Sequence, residues 1–467
     1  MSEQSKRMLR GGARAATGVV IIGVSIAAAA VLGSGVVALP SVERGVVAVA
    51  ADTNQNATFS LICTGAFAEL GADPSRPTAA IPSGASTTVV TGEPLEQGEL
   101  AREQADGTAP LVVQGSANDN LAAAELQQVG GSTLQGLTAS SCAEPVHEQW
   151  LVGGGTKLGQ SLTLVLGNSF EVPATVQVSL FDENGQADSS RATGVLVPAN
   201  SQRIVSLGGY APDRERIAVR VESTGAAVTA ALGASQTVDI RSFAVDTVTR
   251  QLAPATSLVV PGVANFSSDE HATDGAAPDA DPYPVLVRVL SPEGAGTATV
   301  RALKADGSSQ SLGTIDVEAG VVAELSVQTW PLDAQAVTID ATVPVVAGVL
   351  GTADAPPAHD NAWFAPAPTL PADTKVAVAV VLGGQLVLAN TGDADANVEI
   401  ETEGDAKLKT VTVPAGAAMP VEARGQVWVT SSQPISAGVR VVSGPNIAGY
   451  PVLAPIERRA AITVYPR

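Results

Sequence analysis

The chain is poor in aromatic rings, histidine and cysteine. Phe, Tyr and Trp together make up 3% of its 467 residues, and it contains three histidines and two cysteines. So few rings do not form the stacking surface that binds single-stranded nucleic acid. His147-Glu148 begins like the HExxH motif of zinc enzymes, but Leu151 stands in place of the second histidine. Because that histidine pair grips the metal on one helix face, we expect no zinc site there.

The chain also lacks the short motifs of several enzyme classes. The sequence contains no GxSxG nucleophile motif, no Walker phosphate-binding loop and no GxGxxG dinucleotide motif that opens a helix. Enzymes that depend on these motifs are therefore disfavoured. A pair of glycosidase carboxylates is defined by a separation in space of ~5–10 Å, so the sequence leaves that class open.

Positive charge is scarce as well. The chain has 26 Lys and Arg residues against 46 Asp and Glu residues, which gives a net charge of −20. A surface this acidic repels DNA, RNA and anionic lipid at long range. We expect no nucleic-acid partner, and we interpret the acidity chiefly as a means of keeping the protein soluble.

Small apolar side chains are abundant. Hydrophobic residues make up 45% of the chain, and most of them are Val, Ala, Leu and Ile. β-Branched and small side chains suit the thin cores of packed β-sheets. The length of the chain suits three or four domains of ordinary size, each with its own core.

One pattern of short β-strands occurs three times after Trp150. The first copy comprises residues 164–168, 174–178, 195–199, 219–221 and 228–230, and the last comprises 386–390, 396–400, 411–415, 427–429 and 435–437. A looser middle copy comprises 287–289, 298–302, 315–319, 337–339 and 344–348. Such repetition predicts an all-β fold of tandem antiparallel β-sandwiches, Ig-like or jelly-roll-like, after an N-terminal transmembrane helix.

The pattern divides the chain into segments. We expect a basic cytoplasmic tail (1–14), a transmembrane or signal segment (15–39), a tether (40–56) and a β-rich N-terminal region (57–149). Three β-sandwich repeats follow, at 150–255, 256–370 and 371–467. In the N-terminal region, residues 92–107 are predicted to form a loop or short helix, and residues 121–129 a helical turn or a strand.

The segment 15–39 is uncharged and follows four basic residues. It exceeds the ~20 residues that a helix needs to cross a bilayer, and the positive-inside rule places everything after it outside. The alternative is a cleaved signal peptide, since Ala48-Val49-Ala50 offers a cleavage site. We therefore expect a single-pass membrane protein with its C-terminal region outside the cytoplasm, or a secreted protein if the segment is removed.

Both cysteines, Cys63 and Cys142, fall in the part expected outside the cytoplasm. Two thiols in an oxidising compartment usually pair, so we predict a structural disulfide. The loop that it closes is long, which makes the bond worth roughly 4 kcal/mol in the chain-entropy model.

Two groups of residues are candidates for binding. The middle repeat contains a polar insertion, 265–284, for which a solvated acidic loop is the default interpretation. Its carboxylates could instead bind calcium; these are Asp269, Glu270, Asp274, Asp279 and Asp281. We expect no other cofactor. Trp150, Trp330 and Trp363 are candidate ligand-binding rings, and core packing is the alternative for each of them.

The layout resembles a family of actinobacterial exported proteins of unknown function, often labelled large secreted protein. The resemblance rests on the basic N-terminus with its single apolar segment, and on residues 58–63, 141–145 and 150–154. The recurring L-x-L-x-N, V-x-V-P-A and V-x-V elements extend it over nearly the whole chain. The resemblance implies an envelope protein without assigned activity, working beside envelope glycosyltransferases, and it supplies no catalytic residues.

Three functions follow in order of preference. The first is a non-catalytic scaffold or accessory factor of the cell envelope. The second is a module that binds envelope polysaccharide or a partner protein, and the third is a glycan-processing enzyme.

Overall fold

The computed structural model describes residues 49–51, 58–70, 75–76, 79–102, 108–116, 119–130, 134–187, 194–238, 241–267, 283–355, 358–405, 407–456 and 462–464. The chain divides into two compact units, residues 1–54 with 459–467, and residues 55–458. In the smaller unit, β1 (Val49–Ala51) and β37 (Ile462–Val464) pair antiparallel.

All regular structure in the described residues is β-strand, as the sequence predicts. These residues contain no helix that is long and apolar enough to span a bilayer. The predicted segment 15–39 lies outside the described residues.

The N-terminal module contains two three-stranded sheets, in the orders β10-β9-β5 and β2-β8-β6, and a small hairpin, β3-β4. Its strands are β2 (Thr58–Ile62), β3 (Ala68–Leu70), β4 (Ala80–Pro82), β5 (Thr87–Thr91), β6 (Glu96–Glu99), β8 (Leu111–Ser116), β9 (Ala122–Gly130) and β10 (Gln135–Ser141). β7 (Ala101–Arg102) leaves this module and pairs with module 1. Residues 96–102 are thus strands, and the prediction of a loop or short helix there was wrong; residues 121–129 resolve mostly as strand β9.

Cys63 and Cys142 form the predicted disulfide. They lie in the core of the N-terminal module with Leu61, Val113 and Leu121. The bond joins the end of β2 to the end of β10, so it ties the two sheets of this module together.

Module 1 is a sandwich of two five-stranded sheets, β11-β17-β13-β14 with β15 on β13, and β19-β18-β12-β16-β7. Its strands are β11 (Glu148–Val152), β12 (Gln160–Asn168), β13 (Ala174–Asp182), β14 (Gly185–Gln186), β15 (Val195–Val197), β16 (Ser201–Ser206), β17 (Ala218–Gly225), β18 (Thr229–Val238) and β19 (Arg241–Val248). Alternate residues of each strand face inward. Leu162, Leu164 and Leu166 on β12 are buried in this way against Val176 and Val178 on β13.

Module 2 is arranged around one strand of 22 residues, β26 (Ala334–Ala355). Its other strands are β20 (Ala255–Pro261), β21 (Asn265–Ser267), β22 (Val285–Leu290), β23 (Gly296–Lys304), β24 (Ser309–Val317), β25 (Val322–Val327) and β27 (Ala358–Phe364). The first half of β26 pairs with β20 and β23, and the second half pairs with β22 and β27. Residues 337–339 and 344–348 are strand, as the sequence predicts, but they belong to one continuous strand and not to two.

Module 3 returns to two separate sheets, β28-β35-β30-β33 with β36 on β35, and β29-β34-β31-β32. Its strands are β28 (Thr369–Leu370), β29 (Val376–Val380), β30 (Gly384–Ala389), β31 (Ala396–Thr402), β32 (Lys409–Val413), β33 (Ala418–Val421), β34 (Gly425–Ser431), β35 (Ile435–Ser443) and β36 (Asn446–Pro451). Ala124, Leu137 and Ala139 of the N-terminal module belong to the same buried cluster as the core of module 3. The two modules therefore share a core.

The asparagine of the L-x-L-x-N pattern has the same role in modules 1 and 3. The Nδ2 of Asn168 donates to the carbonyl oxygens of Val172, Val197 and Pro198 at 2.9–3.3 Å. In module 3, Nδ2 of Asn390 makes the three equivalent bonds to Ala394, Val413 and Pro414 at 2.8–3.2 Å. Both side chains are buried. Each asparagine therefore holds together the connections at one end of its sandwich through bonds to backbone carbonyl oxygens.

The final strands of the four modules meet one another. Of these, β10 packs against β19 and β36, and β27 packs against the same two strands. Each pairs in the described ladders with one neighbour of its own module, so its other edge faces the other modules. We call this contact the four-edge junction (β10, β19, β27 and β36). It covers sheet edges that would otherwise present unpaired N–H and C=O groups.

Buried carboxylates complete the hydrogen bonding at the four-edge junction. Asp360 on β27 accepts hydrogen bonds from the backbone N–H groups of Leu137 on β10 and Ile447 on β36, at 2.9 and 3.2 Å. Asp246 on β19 accepts one from Trp363 N on β27, at 2.7 Å. Side chains thus supply contacts that the edges do not make with each other through their backbones.

Candidate functional site

A cavity of about 310 Å³ opens between modules 1 and 2. Ligand sites in proteins occupy ~300–1,000 Å³, and they often lie between domains. Strands β12, β18 and β19 of module 1 and β22, β26 and β27 of module 2 contribute to its walls. The lining combines aromatic rings, amide side chains, hydroxyl groups and a small set of charges.

Strand β27 supplies one wall of this cleft through alternation. His359, Asn361 and Trp363 line the cleft, whereas Asp360 between them points to the four-edge junction. Since successive residues of a strand face opposite sides, the same short strand serves both places.

Three rings from three strands or loops form a cluster in the cleft. His359 stacks on Phe243 and on Tyr283, with centroid distances of 4.2 and 3.8 Å, and Phe243 lies 5.5 Å from Tyr283. The three ring centroids therefore form a triangle and not a linear stack. Phe243 and Tyr283 are only partly buried, so they contribute aromatic surface to the cleft wall.

Amide side chains supply directional polar groups. Nδ2 of Asn361 donates to Oε1 of Gln236 at 3.3 Å, which joins module 2 to module 1 across the cleft. The Oε1 of Gln160 is buried and has no hydrogen-bond partner among the described residues. A buried acceptor of this kind requires a donor from water or from a ligand.

The glycine triplet after Trp150 allows the chain to pass close to the cleft. A Cβ at Gly153 would lie 2.8 Å from the Trp363 ring, and a Cβ at Gly155 would lie 2.3 Å from Gln160 Oε1. Gly155 also approaches the carbonyl oxygen of Glu215, which a Cβ would meet at 2.8 Å. Larger residues would therefore fill this side of the cleft.

The floor of the cleft is formed by Trp363 and Arg288. The Arg288 guanidinium lies 4.4 Å from the ring centroid of Trp363. Its Nε donates to Glu324 at 2.5 Å, its Nη1 donates to Gly154 O, and its Nη2 donates to Glu215 O at 2.8 Å. Burial lowers the pKa of Arg288, and the adjacent Glu324 carboxylate opposes that change. Arg288 therefore fixes module 2 to module 1 below the cleft.

Burial raises the pKa values of the two carboxylates behind the cleft. Burial raises the pKa of Asp246 to about 7, against the opposing hydrogen bonds from Trp363 N and Thr247 N. It also raises the pKa of Asp360 well above the ordinary value, and the proximity of Asp246 adds to the increase. Because Asp246 bonds the backbone of Trp363, its charge state is coupled to the position of the cleft floor.

The three predicted tryptophans occupy different places. Trp363 lines the cleft, although only 5% of its surface is exposed. Trp150 is 2% exposed and packs with Phe181 and with Leu290 of module 2, at the interface between the two modules. Trp330 is half-buried against the core of module 2. The structure therefore brings only Trp363 to the cleft.

The predicted calcium ligands Asp269, Glu270, Asp274, Asp279 and Asp281 lie outside the described residues. Among the residues that are described, no group of three or more His, Cys, Asp or Glu side chains could hold a metal ion.

A family of unknown function, DUF5719, matches residues 101–424. The chain belongs to this family. The match contains every residue of the cleft, from Gly154 to Trp363. No curated protein matches the chain.

Sequence reasoning missed most of the cleft of this DUF5719 member. Phe243, Tyr283 and Gln236 stand alone in the sequence, and nothing in their spacing relates them. His359 was not predicted as a site residue, because the three histidines lie far apart in the sequence. The alternation His359, Asn361, Trp363 was the one available signal, since it places three polar or aromatic residues on one strand face.

Proposed function

We propose that this protein is a non-catalytic, extracytoplasmic binding protein of the cell envelope that holds a saccharide in the cleft between modules 1 and 2. The observation that carries the proposal is the composition of the cleft wall. Aromatic surface from Phe243 and Tyr283 lies beside the amides of Gln160, Gln236 and Asn361. Sugar rings present apolar C–H faces and polar hydroxyl edges, which match rings and amides respectively.

A scaffold role is compatible with this binding function. The four-edge junction, Arg288 and the packing of Trp150 hold the modules together by buried contacts. A body of this kind presents its cleft in a fixed orientation to other envelope components. In the proposal these include envelope glycosyltransferases, which the resemblance to actinobacterial exported proteins suggests.

The proposed location rests on the N-terminal sequence and on the disulfide. The apolar segment 15–39 after basic residues favours a single membrane-spanning helix, or a signal peptide that is removed. The Cys63–Cys142 bond favours an oxidising compartment. Net charge of −20 supports the expectation that nucleic acid is not a partner.

An enzymatic role receives less support from the cleft. Its two carboxylates, Glu215 and Glu324, are paired with Lys157 and Arg288 at 2.8 and 2.5 Å. The bond from Lys157 lowers the pKa of Glu215. A glycosidase needs a carboxylic acid whose pKa is raised, so that it can protonate the leaving group.

The test is calorimetric titration of the full chain with fragments of envelope polysaccharide. Tyr283→Ala removes part of the cleft wall, and Tyr210→Ala is the matched control, because Tyr210 packs on the core of module 1 outside the cleft. We expect wild type and Tyr210→Ala to bind alike and Tyr283→Ala to bind at least about ten-fold more weakly.

Equal affinity in all three proteins would place the site elsewhere. Release of shortened saccharides during the titration would indicate an enzyme. Absence of binding to every fragment would refute the saccharide function.

A further inference from the structure

The charges around the cleft are paired within the protein. Glu215 pairs with Lys157 at 2.8 Å, and Glu324 pairs with Arg288 at 2.5 Å and with Arg216 at 3.7 Å. No other ionisable side chain except His359 and Tyr283 belongs to the described lining of the cavity.

The guanidinium of Arg288 in the described lining is held by the protein at each of its nitrogens. All three nitrogens of Arg288 donate to protein oxygens, and one face of the group lies over Trp363. An anionic ligand would have to reach a guanidinium that is buried beside Trp363, and it would compete there with Glu324. Breaking a buried ion pair leaves an uncompensated charge, which is strongly unfavourable.

A cationic ligand would meet one buried ion pair, at Glu324, and one exposed pair, at Glu215. Glu324 already accepts from Arg288, and Glu215 from Lys157. The acceptor that is available is neutral: Gln160 Oε1, buried and without a partner among the described residues. Its natural complement is a hydroxyl or amide donor of an uncharged molecule.

We propose that the cleft selects uncharged saccharides over their acidic and amino-sugar counterparts, an inference that rests on the proposed function. Selection arises because charged substituents must compete with internal ion pairs, whereas hydroxyl and acetamido groups can bond to the free amide. Aromatic surface at Phe243 and Tyr283 accommodates the ring faces of the sugar in either case.

The experiment compares pairs of oligosaccharides with the same sugar backbone, one member uncharged and the other carrying charged substituents. Tri-N-acetylchitotriose is compared with its de-N-acetylated, cationic form, and galactotriose with trigalacturonic acid, by calorimetry on the full chain. In each pair that binds, we expect the uncharged member to bind at least about ten-fold more tightly. Its affinity should change less than two-fold between 50 and 500 mM NaCl, because no charge is involved.

The variant Gln236→Glu sharpens the test. It keeps an acceptor for Asn361 and adds a carboxylate that no cation pairs. We expect it to improve the affinity for the cationic chitotriose by about ten-fold while the acetylated form binds less tightly.

The outcomes separate the two proposals. Tighter binding of the acidic or amino sugar by wild type would overturn the selectivity and leave saccharide binding intact. Failure of every saccharide, charged or uncharged, would overturn the proposed function and this inference with it.

Discussion

Asn168 in module 1 and Asn390 in module 3 each donate to three backbone carbonyl oxygens, whereas the middle module has Ser291 at the corresponding end of β22. Ser291 is also buried, but its Oγ accepts one bond, from Gly294 N at 3.2 Å. A hydroxyl is shorter than an amide and cannot reach three carbonyls at once. Module 2 therefore secures this end of its sandwich differently.

The modules differ in a second respect. In module 1 the chain turns between β17 and β18 and passes from one sheet to the other, and in module 3 it does so between β34 and β35. In module 2 the same stretch runs straight on as β26, since Thr342 and Val343 are β-branched and no glycine interrupts them. Pro344 lies between the two ladders of β26, where no described partner requires its missing N–H.

The third difference lies in the last strands. β19 and β27 carry the buried Asp246 and Asp360, and β36 carries no carboxylate. Module 3 instead contributes a backbone N–H, from Ile447, to Asp360. Modules 1 and 2 thus bring carboxylates to the four-edge junction, whereas module 3 brings backbone groups, the N–H of Ile447 and the carbonyl oxygen of Pro451.

The largest expected effect concerns this third difference. The pKa of Asp246 is about 7 in the folded protein, against ~3.9 in the unfolded chain. The stabilisation is fully present below pH ~4 and is lost as pH rises through about 7, so it amounts to up to about 4 kcal/mol. We expect Asp246→Asn to remove this pH dependence, as measured by urea unfolding at pH 5 and pH 8.

Asp316→Asn is the control for this experiment, because Asp316 is an exposed carboxylate on β24. It should retain the pH dependence of wild type. If the free energy of unfolding changed with pH equally in wild type and in Asp246→Asn, Asp246 would be ionised in the folded protein throughout this range, contrary to the effect expected from its burial.

The asparagines provide the next test of the comparison. Asn168→Ala and Asn390→Ala each remove three donated bonds and leave buried carbonyls unsatisfied, which we expect to cost about 3 kcal/mol. Ser291→Ala in module 2 removes one accepted bond and should cost about 1 kcal/mol. Hydrogen exchange of each module, followed by mass spectrometry, measures these effects locally. Similar losses of stability in all three variants would mean that packing, and not the amides, holds these ends of the sandwiches together.

A smaller effect is expected at the turn of module 1. Gly225 has φ of 82°, and a Cβ there would lie 2.7 Å from Pro173 O. Gly225→Ala should therefore cost about 2 kcal/mol, from strain and steric contact together. Gly320→Ala in module 2 is the control, because Gly320 has φ of 75° but open space around it. Gly320→Ala should cost about 1 kcal/mol of stability, as measured by thermal unfolding. Equal costs for the two variants would show that the contact with Pro173 O does not contribute.

The sequence predicted the parts of this fold that depend on local pattern. Strands such as β12 and β13 and the Cys63–Cys142 bond follow from alternation, turn residues and cysteine count. The interruption expected within residues 337–348 was wrong because a change of sheet partner leaves no mark on the pattern of a continuous strand.

The four-edge junction and the cleft could not be predicted in the same way. Leu137 is 223 residues from Asp360, and Trp363 is 117 residues from Asp246. Contacts between strand edges of different modules impose no periodicity on either strand. Trp363 was singled out only because tryptophan is rare in this chain, and its neighbours Phe243 and Tyr283 acquire their role from the tertiary structure alone.

The four-edge junction has a consequence for biosynthesis. Ser141 Oγ on β10 donates to Pro451 O on β36, across a separation of 310 residues. A growing chain makes β10 long before β36, one of the strands that pack on its free edge. Until β36 is made, the nascent N-terminal module exposes a strand edge with unpaired backbone groups. Interrupted synthesis should therefore yield fragments that self-associate.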